Sequence, residues 1–174
     1  MKREFTSLSP QEALSVAIFV EDRNASLYEH FADLFTEFRD AESFEMAEVF
    51  WDMAEEERTH SSQLQDRYFE RYGGQTCSIE EDEVRDVIEM PRLDDQIFAI
   101  AKAKVTPVPA RNALEIALAA EVAAQRFYRR LAEITPDAEM RTFYKELASF
   151  EREHTRDLEH RLHLARTMGK GADA

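Results

Sequence analysis

The stretch AEEERTHSSQL, residues 54–64, decides how the chain is read. Three glutamates followed by His60 fit an acidic, water-facing helix surface. They also fit a helix in which one glutamate turns inward with the histidine. At about 100° of rotation per residue, Glu57 shares a face with Phe50, Met53, His60 and Leu64, while Glu55 and Glu56 rotate toward solvent. Glu57 also precedes His60 by three residues, which makes the two neighbours on the helix surface. A carboxylate and an imidazole thus interrupt an apolar stripe.

The pattern recurs. In FEREHTRDL (150–158), Glu151 precedes His154 by the same spacing, in phase with Tyr144, Leu147 and Leu158. Two further segments match each other, EDRNASLYEHFADL (21–34) and EVAAQRFYRRLAEI (121–134). Glu21 lies on the face of Leu14, Ile18, Ala25 and Tyr28; Glu121 lies on that of Leu114, Leu118 and Tyr128. The chain reads as Glu, then Glu-x-x-His, twice over. An unpaired carboxylate in an apolar interior is very costly. Four inward carboxylates near mid-helix call for cations, or for arginines and histidines as partners, and no arginine shares these stripes near mid-helix.

The surrounding sequence supplies the helices. Ser9, Pro10 and Glu12 form a capping signature for a first helix over about 9–39. Asp40 caps a second over about 41–72, which Gly73 and Gly74 stop. A third spans about 109–134. Thr135 and Pro136 suggest the cap and first residue of a fourth, over about 136–167. Between the pairs lies a crossover, about 73–108, with short helical segments: Ser78 and Glu81 form a capping signature and Pro91 a stop. The tail GKGADA (169–174) looks frayed. Short links force neighbouring helices to be antiparallel, and the long crossover lets the second pair return from the other end. The expected fold is all-α, one ferritin-like antiparallel four-helix bundle domain over residues 1–174.

Composition agrees. Of 174 residues, 44% are hydrophobic, whereas Gly 4 and Pro 5 are too few for a turn-rich β architecture. A net charge of -14 gives no basic footprint for nucleic acid and would be repelled by an anionic membrane. The longest apolar run, 13–20, is too short to cross a bilayer, and the first ten residues do not resemble a signal peptide, so a cytoplasmic location is expected. The single cysteine, Cys77, excludes an internal disulfide and a cysteine-ligated metal centre.

Four carboxylates and two imidazoles suit two divalent first-row ions. Oxygen-rich donors favour iron or manganese, and zinc or cobalt could occupy the same set in a crystal. By the symmetry of the halves, Glu57 and Glu151 should bridge, Glu21 and Glu121 should be terminal or chelating, and His60 and His154 should each terminate one ion. Such a pair favours redox chemistry over hydrolysis. Tyr28 and Tyr128, two turns after the lone glutamates, are placed to hydrogen-bond a ligand carboxylate or quench a radical, or simply to pack in the core. Gln125, one turn from Glu121, is a further candidate to support a ligand. His30 reads as solvent-exposed, His160 and His163 as favourably placed near a helix C-terminus, Met46, Met53 and Met140 as core filler, and Trp51 as a packing or dimer-interface residue.

These motifs closely resemble the rubrerythrin-like branch of the ferritin-like superfamily. EDRNASLYEHFA is similar to its first-helix motif, and the pairs 57/60 and 151/154 are similar to its di-iron ligands. The resemblance implies a non-haem centre of two iron ions at Glu21, Glu57, His60, Glu121, Glu151 and His154. It implies reduction of peroxide or dioxygen, or ferroxidase activity, an external electron donor and a homodimer. Iron storage or delivery, or a non-catalytic metal-binding bundle, are the alternatives. Two departures stand out. Rubrerythrins usually append a rubredoxin domain, which one cysteine cannot build. Their additional glutamate, one turn after the third-helix ligand, is here Ala124, which leaves a six-ligand set more like a simple ferroxidase or bacterioferritin site.

Overall fold

The computed structural model describes residues 5–74, 83–84, 87–88 and 108–168. Among the described residues, one 3-10 turn, Phe5–Ser7, is followed by four long helices: α1 (Pro10–Phe38), α2 (Ala41–Tyr72), α3 (Val108–Ile134) and α4 (Ala138–Met168). The start of α1 follows from its capping box. The Ser9 hydroxyl accepts from the Glu12 amide, and the Glu12 carboxylate accepts from the Ser9 amide at 2.8 Å. Arg39 ends α1 in the left-handed region at φ 57°, and Asp40 caps α2 by accepting from the Ser43 amide. Gly73 closes α2 at φ 63°, where its amide donates to the Phe69 carbonyl.

The fourth helix begins later than Thr135 and Pro136 suggest. Thr135 still belongs to the end of α3, its amide donating to the Leu131 carbonyl. Asp137 is the cap instead: its side chain accepts from the Met140 amide at 2.9 Å, and its carbonyl accepts from Arg141. The same carboxylate takes Arg71 Nη1 at 2.8 Å, which ties the end of α2 to the start of α4. Cys77, the Ser78 and Glu81 signature, Pro91 and the tail from 169 lie outside the described residues. Within the crossover, Val84, Val87 and Ile88 are buried against the core.

α1 packs along α2 and α3 along α4, and the two hairpins meet through α1 and α3 as well. The helices form the ferritin-like four-helix bundle expected from the sequence. Its core is divided in two. One apolar cluster joins Leu14, Ala17 and Ile18 near the start of α1 to Leu64 and Tyr68 near the end of α2, with Leu131 and Leu147. The other joins Leu27, Phe31 and Phe35 of α1 to Phe50 and Met53 of α2, with Leu114 and Leu158. That exchange of ends is what antiparallel packing requires. On every helix the break between the clusters falls at the same place: Glu21, the segment 57–60, Glu121 and the segment 151–154. Among the described residues, no helix is long and apolar enough to cross a membrane.

Candidate metal centre

A polar layer separates the two apolar clusters. Glu21, Glu57, Glu121 and Glu151 are all completely buried, His60 is 6% exposed, and the His154 side chain is 12% exposed. The six side chains come from all four helices and converge. Glu21, Glu57, His60 and Glu151 each bring one donor atom within 4.8 Å of the others', and so do Glu57, Glu121, Glu151 and His154. Glu57 and Glu151 belong to both groups.

Both imidazoles turn Nδ1 inward. His60 Nδ1 lies 3.4 Å from Glu21 Oε2, while His154 Nδ1 lies 3.3 Å from Glu121 Oε2 and 3.4 Å from Glu57 Oε1. The buried tyrosines supply hydrogen bonds across the halves. Tyr28 of α1 donates to Glu121 Oε1 on α3, and Tyr128 of α3 donates to Glu21 Oε1 on α1. The spacing of Tyr28 and Tyr128 placed them beside the ligand layer, but their partners belong to the opposite half. Beside the layer, the Ser61 hydroxyl donates to Asp22 Oδ1 at 2.5 Å and pins α2 to α1 next to His60 and Glu21.

These contacts leave much of the layer unsatisfied. Both carboxylate oxygens of Glu57 and of Glu151, Glu21 Oε2 and His60 Nδ1 have no hydrogen-bond partner. Buried polar atoms are normally paired, so lone pairs gathered around one interior point require cations or protons. Burial, and then the neighbouring carboxylates, push Glu57 and Glu151 well above the usual carboxylate range. Burial pulls Glu121 the same way, yet its contacts with Glu151, His154 and Tyr28 hold it below its ordinary value. Burial alone would lower the His154 pKa, but the nearby Glu121 and Glu57 carboxylates prevail and hold it up to about 11. The Tyr28 and Tyr128 hydroxyls are pushed well up, first by burial and then by the carboxylates they face, so both remain donors. With protons as the only counter-charge, Glu121 pairs with His154 at 3.3 Å, and burial favours the protonated form of Glu57 and Glu151. Two divalent cations would neutralise the layer more fully, and carboxylate with imidazole is a donor set suited to them. The residues fit the group.

Other residues fall as follows. Gln125 is half-buried and forms no hydrogen bond to the cluster among the described residues. His30, His160 and His163 are exposed; Met53 and Met140 are buried, Met46 is half-buried and Trp51 is 42% exposed. Ala124 is buried, so a methyl group stands one turn beyond Glu121. Two residues escaped sequence reasoning. Asn24, at the place in the first half that matches Ala124, is fully buried, and neither amide atom has a hydrogen-bond partner. Its position three residues after Glu21 was the available signal. Glu56 does point outward, as its phase requires, yet its carboxylate curls back to His154 Nε2 at 2.5 Å. No periodicity could show that contact, because it joins α2 to α4.

No curated protein matches the chain. The fold is similar to the crystal structure of an uncharacterized conserved protein from Magnetospirillum magnetotacticum, with a TM-score of 0.69 and 20% identity over 90% of this chain and 95% of that one. The sequence model of the Rubrerythrin family matches residues 12–162. That match takes in all six converging side chains and most of every long helix, and the chain belongs to the rubrerythrin family.

Proposed function

We propose that the protein is a non-haem di-iron oxidoreductase that reduces peroxide or dioxygen with electrons from an external donor, or oxidises ferrous iron. The observation that carries this reading is the pair of four-donor groups with Glu57 and Glu151 in common. Shared carboxylates are what two adjacent ions need as bridges. Glu57 and Glu151 would be held in common by two ions, Glu21 and His60 would complete one position, and Glu121 and His154 the other. The oxygen-rich set favours iron, with manganese the next choice. When bound, two ferrous ions supply two electrons to an O–O bond.

The protein's own groups prepare the site for this. Tyr28 and Tyr128 hold Glu121 Oε1 and Glu21 Oε1, so one oxygen of each terminal carboxylate is fixed and the other is left for a metal. The apolar clusters on either side keep bulk water from the layer, so charge interactions inside it are strong. Six protein side chains would leave two bound ions with room for water or oxidant.

Anaerobic loading with ferrous iron followed by stopped-flow mixing tests the proposal. Oxidation by peroxide or by dioxygen within the mixing experiment is the expected result, and the faster oxidant identifies the physiological one. Protein that holds two ferrous ions yet is inert to both oxidants would overturn the oxidoreductase reading and leave a non-catalytic metal-binding bundle.

A further inference from the structure

The two halves of the centre match in every ligand and differ at the residue just before each shared glutamate. Glu56 precedes Glu57; Phe150 precedes Glu151. Each reaches across to the histidine of the other half. Glu56 Oε2 lies 2.5 Å from His154 Nε2. The Phe150 ring lies against the His60 ring, with centroids 5.2 Å apart and planes inclined by 31°. Both residues are at the surface, the Glu56 side chain 60% and Phe150 46% exposed. Equivalent places in a pseudo-symmetric site therefore hold a carboxylate on one side and a hydrocarbon ring on the other.

The chemistry of the two contacts is not equivalent. A carboxylate only accepts, so His154 Nε2 carries a proton, and a cation that displaces the second proton, on Nδ1, would meet that nitrogen's lone pair in the interior, beside Glu57 and Glu121. That contact fixes both the tautomer and the ring angle of a ligand histidine and makes the ligating nitrogen more basic. The outer side of His60 meets an aromatic face. Such a face restricts the ring but selects no tautomer, and among the described residues no carboxylate does for His60 what Glu56 does for His154.

We propose that Glu56 is a positioning residue that makes the His154 position the tighter of two metal positions, and that Phe150 leaves the His60 position the weaker. The inference rests on the two-metal reading above. One ion is then firmly held between Glu57, Glu121, Glu151 and His154, and the other, at Glu21 and His60, exchanges more readily.

Titration of the metal-free full-length protein with Co(II), followed by its visible ligand-field bands and by calorimetry, tests this. Wild type should bind two ions in two steps. Repulsion between two cations would also separate the steps, so the variants decide. Glu56→Gln should weaken the tighter step about tenfold and leave the weaker step in place. Phe150→Glu should strengthen the weaker step and narrow the gap. His154→Ala should abolish the tighter step, and adding Glu56→Gln to it should then change nothing. A Glu56→Gln isotherm that coincides with wild type, or one in which both steps weaken equally, would overturn the proposal while leaving two-metal binding intact. A wild-type protein that binds no Co(II) would overturn the two-metal reading, and the proposal with it.

Discussion

In the proposed centre, Glu57 is a side chain that would serve function against stability. It is fully buried, neither oxygen has a hydrogen-bond partner, and three other carboxylates share its layer. In the metal-free protein such a group is a liability, since replacing buried ionisable groups by apolar ones of similar size is often stabilising. Glu57→Leu should therefore raise the stability of the metal-free form by ~1–3 kcal/mol and lose at least one of two bound ions. Thermal unfolding and metal analysis of the same preparation check both halves of that statement. A variant less stable than wild type when metal-free would mean that Glu57 is structurally satisfied. His154→Ala should likewise lose an ion while the bundle persists. At this scale the sequence was informative because inward polar residues break an apolar period and so declare themselves. What it could not give were contacts between helices: Tyr28 with Glu121, Tyr128 with Glu21 and Glu56 with His154 join residues 93, 107 and 98 positions apart. Asn24 was overlooked because an amide beside a run of charged residues reads as surface.

The helices owe their limits to short-range chemistry, which is why most of those limits could be read in advance. Ser9 with Glu12, Asp40 with Ser43, and Gly73 each satisfy a backbone group that a helix end would leave unpaired. Ser9→Ala removes the acceptor for the Glu12 amide and should cost about 1 kcal/mol of stability, seen as a lower midpoint in urea with an unchanged slope. No effect would show that the start of α1 is held by packing alone. The start of α4 was misjudged because two plausible caps, Thr135 and Asp137, lie two residues apart. The choice was made by Asp137, whose carboxylate meets both the Met140 amide and Arg71 of α2. The second contact is tertiary, and local propensity does not contain it.

Over the whole molecule, the bundle is two apolar clusters held apart by a layer that must be neutralised. The repeat made this division legible, since matching motifs at matching places on paired helices leave few arrangements other than convergence. The division also sets how stability responds to pH. In the metal-free protein Glu57 and Glu151 keep protons that the unfolded chain gives up above its ordinary carboxylate value of 4.5. His154 keeps its proton up to about 11, against 6.5 in the unfolded chain. The folded state therefore holds more protons than the unfolded one through neutral pH, and its stability falls as pH rises. The stabilisation from His154 is complete below 6.5 and is lost progressively as pH climbs toward about 11. Bound cations remove the need for those protons. Between about pH 6 and about pH 9 the unfolding temperature of the metal-free protein should drop markedly more than that of the loaded protein, and parallel curves would contradict the layer's role. The most direct measurement is anomalous diffraction from crystals loaded anaerobically with ferrous iron. Two peaks per chain are expected, both touching Glu57 and Glu151, one also touching Glu21 and His60 and the other Glu121 and His154. A single peak, or peaks away from these six side chains, would contradict the di-metal centre.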